Sequence, residues 1–181
     1  KGRIGDQVID HPATLGHECA GTVMEICPTV VGLKAGQRVA VDPAISCGQC
    51  DQCRKGRAHT CRNLQFLGCP GQAPGAVAEY ITIAAQSCYP VPDSMTMVEA
   101  ALVEPLSVAI HSQRLAGMQP GGTVGILGAG PIGLSVLLAV GALCPSRTFV
   151  TDLLDERLGL ARRCGADWTG VPTRGDVVKA I

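Results

Sequence analysis

Up to about Val91 the apolar positions of this chain come in short runs set between turn residues. Residues 21–26, 37–41 and 76–83 read as β segments, and glycine and proline at 32–36 and 69–75 punctuate them. This pattern predicts a loop-rich, all-β first half. The character changes at Thr96, where Thr96 and Glu99 stand three apart as a capping box and predict a helix running to about Val103. Glu99 is therefore read as a cap. Pro105 suits the first turn of a second helix ending near Gly117. From Gly122 the pattern alternates: strand 123–127, helix 131 to about 143, strand 148–152 and helix 155–164, with Gly165 as its stop. That alternation opens a parallel α/β sheet. The expected domains are 1–104, β-rich, and 105–181, dinucleotide-binding.

The chain has 181 residues, 46% of them hydrophobic, enough to bury a core. Fifteen basic and fifteen acidic residues cancel, so no long-range field favours nucleic acid or an anionic membrane. The first residues lack the apolar core of a signal peptide, and no uncharged apolar run approaches membrane length. A cytoplasmic protein with no nucleic-acid or membrane partner is expected. The chain begins with Lys1 and ends at residues 177–181 in an amphipathic helical pattern, so an internal fragment of a longer protein is expected.

Four of the ten cysteines, Cys47, Cys50, Cys53 and Cys61, form a C-x2-C-x2-C-x7-C run. That spacing lets four thiolates close a tetrahedron around zinc, while a two-residue spacer rarely permits good disulfide geometry. A closed four-thiolate site has no open position, so it holds a loop together and performs no chemistry. Cys19, Cys27, Cys69, Cys88, Cys144 and Cys164 lack ligand spacing and are read as small, reduced core residues. Arg54, Lys55, Arg57, His59 and Arg62 around the lobe carry no interleaved aromatic residue and are read as a solvated loop.

Gly128, Gly130 and Gly133 spell G-x-G-x-x-G after an apolar strand and at the opening of an apolar helix. In that setting Gly128 makes the turn, Gly130 lets a pyrophosphate approach the backbone, and Gly133 permits close helix packing. The pyrophosphate would rest on the helix N-terminal amides. Asp152 ends the next strand, where the ribose hydroxyls require an acid; it would repel a 2′-phosphate, which favours NAD over NADP. Arg157, one turn into the following helix, either lies over the adenine ribose or is solvated.

A second candidate metal site is His17-Glu18, just before a β segment. Adjacent strand side chains point to opposite faces, so both reach one metal only in a turn, which Gly16 allows. Glu104 lies within the apolar stretch 100–108, where an unpaired charge is costly and calls for a metal, a metal-bound water or a basic partner.

Taken in order, His17-Glu18, the four-cysteine lobe, Glu104-Pro105-Leu106 and the Gly128 to Gly133 fingerprint resemble the zinc-dependent medium-chain dehydrogenases, and most closely their sorbitol (polyol, L-iditol) branch. Gly2 to Asp6 also look like that branch. The resemblance implies a GroES-like catalytic domain with a structural zinc lobe, followed by the first half of a Rossmann domain. It implies catalytic zinc at His17 and Glu18, with Glu104 touching a zinc-bound water or the substrate, and NAD contacts at Ile132, Asp152 and Arg157. The implied reaction moves a hydride from a secondary hydroxyl of a polyol to NAD, giving a ketose, in a dimer or tetramer. Another substrate within the family (L-threonine, a sugar acid or a secondary alcohol) and a noncatalytic zinc-lobed binding protein remain as alternatives. No cysteine precedes His17, so the family's upstream ligand is missing and the chain by itself is expected to be inactive.

Overall fold

The computed structural model describes residues 2–4, 7–9 and 12–180. Residues 5 and 6 of the opening run, and residue 181 of the final helical pattern, lie outside the described residues. The chain separates into two compact units, Lys1–Glu104 and Pro105–Ile181.

The first unit contains β1 (Gly2–Ile4) antiparallel to β2 (Gln7–Ile9), and a sheet of β3 (Ala20–Thr22), β4 (Arg38–Val41) and β7 (Cys88–Pro90) in the order β3-β4-β7. Strand β4 lies in the middle, and its Val39, Ala40 and Val41 are buried. Successive strand side chains point to opposite faces, so three consecutive buried residues mean that β4 is covered on both. Strands β5 (Ala44–Ile45) and β6 (Gln65–Phe66) form a hairpin whose long connection carries the one-turn helix α1 (Asp51–Arg54) and all four lobe cysteines. Helix α2 (Met97–Ala101) packs on β3 and β4 and buries Ala100 completely.

The capping box is present in full. The Thr96 amide donates to Glu99 Oε2 at 2.7 Å, and the Glu99 amide donates back to Thr96 Oγ1 at 3.2 Å. Helix α3 (Val103–Leu115) carries Glu104 in its first turn and gives way to Gly117 at φ +60°.

Residues 76–83 form no strand, contrary to the alternation expected there. No strand among the described residues pairs with them, so the pattern joins no ladder. Their amides turn instead toward the segment preceding His17: Ala76 N donates to Gly16 O and Val77 N to Leu15 O, both at 2.9 Å. The first β segment is also shorter than expected, ending at Thr22.

In the second unit β8 (Thr123–Leu127), β9 (Arg147–Thr151) and β10 (Trp168–Gly170) make a parallel sheet in the order β10-β9-β8. Helices α4 (Pro131–Leu143) and α5 (Asp155–Arg163) form the crossovers, and α6 (Val177–Ala180) follows β10. The core joins Ile126, Ala129, Leu137, Val150 and Ala161. Full burial of a side chain such as Leu137 or Val150 stabilises by about 1.5–3 kcal/mol. The buried Thr148 is satisfied by Asp167, whose Oδ2 accepts from its amide at 2.7 Å and its hydroxyl at 3.0 Å.

Candidate functional site

The four lobe sulfurs close on one another. Cys47 and Cys61 are 3.4 Å apart, Cys50 and Cys53 3.5 Å, Cys50 and Cys61 3.9 Å, and Cys47 and Cys53 4.0 Å. A zinc–sulfur bond of about 2.3 Å implies a tetrahedron edge of about 3.8 Å. The separations bracket that value and far exceed a disulfide bond, and all ten cysteines are free. The donor set therefore fits zinc.

Backbone amides point at these sulfurs. Cys47 N and Asn63 N reach Cys61 Sγ at 3.3 and 3.4 Å. The amide of Arg62, followed by that of Cys53, lowers Cys50 to about 6. Desolvation, followed by hydrogen bonding with Cys50 and Cys61, pushes Cys53 up to about 11. One sulfur ionises readily because amides point at it, and its neighbour resists because it is desolvated and hydrogen-bonded to the other sulfurs. Arg62 is exposed, as expected of a solvated loop, and its guanidinium also grips the Asp51 carboxylate through Nε and, at 3.0 Å, Nη2.

The other cysteines divide. Cys144 is buried, and Cys19, Cys69, Cys88 and Cys164 are half-buried, but Cys27 is exposed and sits 3.2 Å from Thr29 Oγ1. The core expectation fails for Cys27 because it lies outside any strand or helix, in the loop between β3 and β4.

His17, Glu18 and Glu104 each bring one ligand atom to within 4.8 Å of the others. Gly16 turns the chain ahead of the pair at φ +93°, a conformation open to glycine, and a Cβ there would lie 2.7 Å from Val77 Cγ2. Glu104 is half-buried, and its carboxyl is raised above its usual value, first by desolvation and then by Glu18 and Asp42, with His17 opposing. Two carboxylates and one imidazole make a hard, anionic pocket of the kind that divalent metals occupy. Two neighbours of this trio carried no sequence signal: Asp42 beside Glu104, and Phe66, whose ring meets the His17 imidazole.

The glycine turn lies at the C-terminal end of β8. Gly128 has φ +103°, and its amide donates to Thr151 O at 2.7 Å. A Cβ on Gly133 would fall 1.9 Å from Gly128 O, so the helix approaches the turn as closely as glycine allows. Gly128, Gly130, Ile132 and Gly133 line an open groove of about 490 Å³ at the N-terminus of α4. Asp152 stands just past β9 and is fixed by two amides, Leu154 N to Oδ1 at 2.9 Å and Ala129 N to Oδ2 at 2.8 Å. These bonds, helped by Arg157 at 3.6 Å, hold its carboxyl below the usual range. A carboxylate offers about four lone-pair directions, so acceptor capacity remains for a ribose. Arg157 is half exposed and reaches Asp152 rather than extending free.

Residues 1–93 match the alcohol dehydrogenase GroES-like domain. The sorbitol dehydrogenase of Bacillus subtilis (strain 168) is 42% identical over 165 residues, which are 91% of this chain and 46% of that protein. L-idonate 5-dehydrogenase from Escherichia coli K-12 superposes with a TM-score of 0.87 at 32% identity, covering 97% of this chain and 51% of that one. A Sinorhizobium meliloti 1021 protein solved with NADP gives the same TM-score at 37% identity, covering 94% and 49%. The chain thus spans about half the length of the relatives it matches. With its lobe, trio and glycine turn set in that domain order, the chain belongs to the zinc-dependent medium-chain dehydrogenases, in their sorbitol dehydrogenase branch.

Proposed function

We propose that the protein carrying this chain oxidises a secondary hydroxyl of a polyol of the sorbitol or xylitol kind, passing a hydride to NAD and giving a ketose. The observation that carries this reading is the convergence of His17, Glu18 and Glu104 within 4.8 Å. When bound, zinc supplies a Lewis acid for the substrate hydroxyl and NAD the hydride acceptor. His17 offers a ring nitrogen and Glu18 a carboxylate oxygen to the metal. Glu104, with its proton affinity raised, either joins them or accepts a hydrogen bond from a neighbouring hydroxyl of the polyol, which orients the chain of carbons. Residues 1–104 serve as the catalytic domain and 105–181 as the coenzyme domain.

At the coenzyme site Gly128 and Gly130 admit the pyrophosphate, Gly133 keeps α4 close, Ile132 packs on the coenzyme, and Asp152, with Arg157 beside it, takes the ribose. The fixed Asp152 carboxylate supports NAD over NADP. Free thiols throughout the chain support a cytoplasmic setting, and no helix among the described residues is long and apolar enough to cross a membrane. The family reading extends to a homo-oligomer, which light scattering would count.

The test is reduction of NAD and of NADP by the whole protein with sorbitol, xylitol, L-threonine and simple alcohols, with and without a zinc chelator. Chelator-sensitive NAD reduction on the polyols is expected. Replacing Glu104 with alanine should lower turnover on the order of 10²-fold or more while leaving NAD affinity nearly intact; wild-type turnover in Glu104→Ala would sink its role.

A further inference from the structure

Phe66 links the two candidate metal sites. Its ring meets the His17 imidazole edge-on, with centroids 5.2 Å apart and planes crossing at 69°. Aromatic pairs in this arrangement attract one another beyond their burial. A phenyl ring competes for neither imidazole nitrogen, so it can set the plane of the imidazole and leave both nitrogens to their partners.

What holds Phe66 is the hairpin that carries the lobe. Phe66 pairs with Ala44 across β5 and β6, and the connection between those strands contains every lobe sulfur. The base of the hairpin is tied down close to His17. Leu67 N donates to Pro43 O at 3.0 Å, Ala44 N to Asp42 Oδ1 at 2.9 Å, and Phe66 N to Gln72 Oε1 at 2.7 Å. At Gly68, two residues on, an added Cβ would lie 2.5 Å from Gly16 O. The segment leaving β6 therefore packs closely on the turn that presents His17. A two-strand hairpin of two residues a side is marginal alone, so closure of its far end adds to the ties at its base.

We propose that Phe66 is a positioning residue which fixes the His17 imidazole, and that zinc closure of the lobe at the tip of the same hairpin holds Phe66 in place. The lobe then sets the metal affinity of the trio without supplying a ligand to it. This rests on the reading of His17, Glu18 and Glu104 as a metal centre.

The experiment measures zinc content and zinc release to a chromophoric chelator in the whole protein, for wild type, His17→Ala, Phe66→Leu, Phe66→Ala and Asp51→Asn. The last loosens the Arg62 clasp on the lobe without removing a sulfur. Wild type should hold one zinc at each of the two clusters, and His17→Ala should lose one. Phe66→Ala should release the trio's zinc about tenfold faster, as loss of a group orienting a metal ligand commonly does. Phe66→Leu, which keeps apolar bulk, should do so by less, with lobe release unchanged in both. Asp51→Asn should also speed release from the trio, and combining it with Phe66→Ala should add little more.

Unchanged trio release in both Phe66 variants overturns the proposal, as does equal loosening of both sites, which would mean general packing. An Asp51→Asn effect that is absent, or that adds in full to Phe66→Ala, overturns the link to the lobe. A wild-type protein that holds lobe zinc alone and is unaffected by His17→Ala overturns the metal-centre reading itself, and the proposal with it.

Discussion

Two glycines in α4 carry opposite consequences. Gly133 has no room for a methyl group, since its Cβ would stand 1.9 Å from the Gly128 carbonyl oxygen, a backbone atom that cannot swing away. Gly133→Ala must therefore push the helix off the turn and distort the groove that the turn lines. The expected outcome is loss of NAD binding, read by quenching of protein fluorescence or by calorimetry, together with a lowered melting temperature. Gly141, two turns on, is exposed and would have nothing within 4 Å of its Cβ. Gly141→Ala should stabilise by roughly 0.5–1 kcal/mol in denaturant unfolding, because a mid-helix glycine loses more backbone freedom on folding than alanine does. A destabilised Gly141→Ala or an unaffected Gly133→Ala would mean that α4 sits differently on its strand.

Among the elements, those whose determinants are local in sequence were legible and the others were not. The lobe's four cysteines all fall between Cys47 and Cys61, and the turn from β8 into α4 is completed within six residues, so spacing alone marks both. The Thr96 and Glu99 box closes over three residues, and Thr96→Ala should cost about 1 kcal/mol in denaturant unfolding. Strands β5, β6 and β7 are only two or three residues long and have no periodicity to detect, while residues 76–83 have a strand's alternation and pair with no strand among the described residues. A strand exists by pairing, which the pattern along one segment does not encode. The same reasoning explains why His17 could be nominated from sequence while Phe66, 49 residues later, could not. The lobe itself is open to a direct test. Cys61→Ser removes the buried sulfur that accepts two backbone amides. The variant should hold one zinc fewer per chain by elemental analysis and be cut faster by trypsin at Arg54, Lys55 and Arg57.

At the scale of the whole molecule, three carboxylates fixed on backbone amides contribute to the acid response. Glu99 is lowered by the Thr96 amide, Asp152 by the amides of Leu154 and Ala129, and Asp167 by the amide and then the hydroxyl of Thr148. Each has a folded value below its unfolded one, so the folded chain binds fewer protons than the unfolded chain in the interval between the two. Stability then rises with pH through that interval. The contribution is complete above the ordinary carboxylate range near pH 4 and is lost as pH falls through the lowered folded values. Asp167 isolates the effect, because it ties β9 to the segment leading into β10 and belongs to none of the candidate site residues. Asp167→Asn keeps one oxygen acceptor but cannot carry the charge. Its stability deficit against wild type, measured by denaturant unfolding, should be widest at pH 7 and shrink as pH is taken down to 3, where the carboxyl of the unfolded chain takes up its proton ahead of the folded one. A deficit of the same size at both pH values would assign Asp167 a packing role and remove its charge from the acid response.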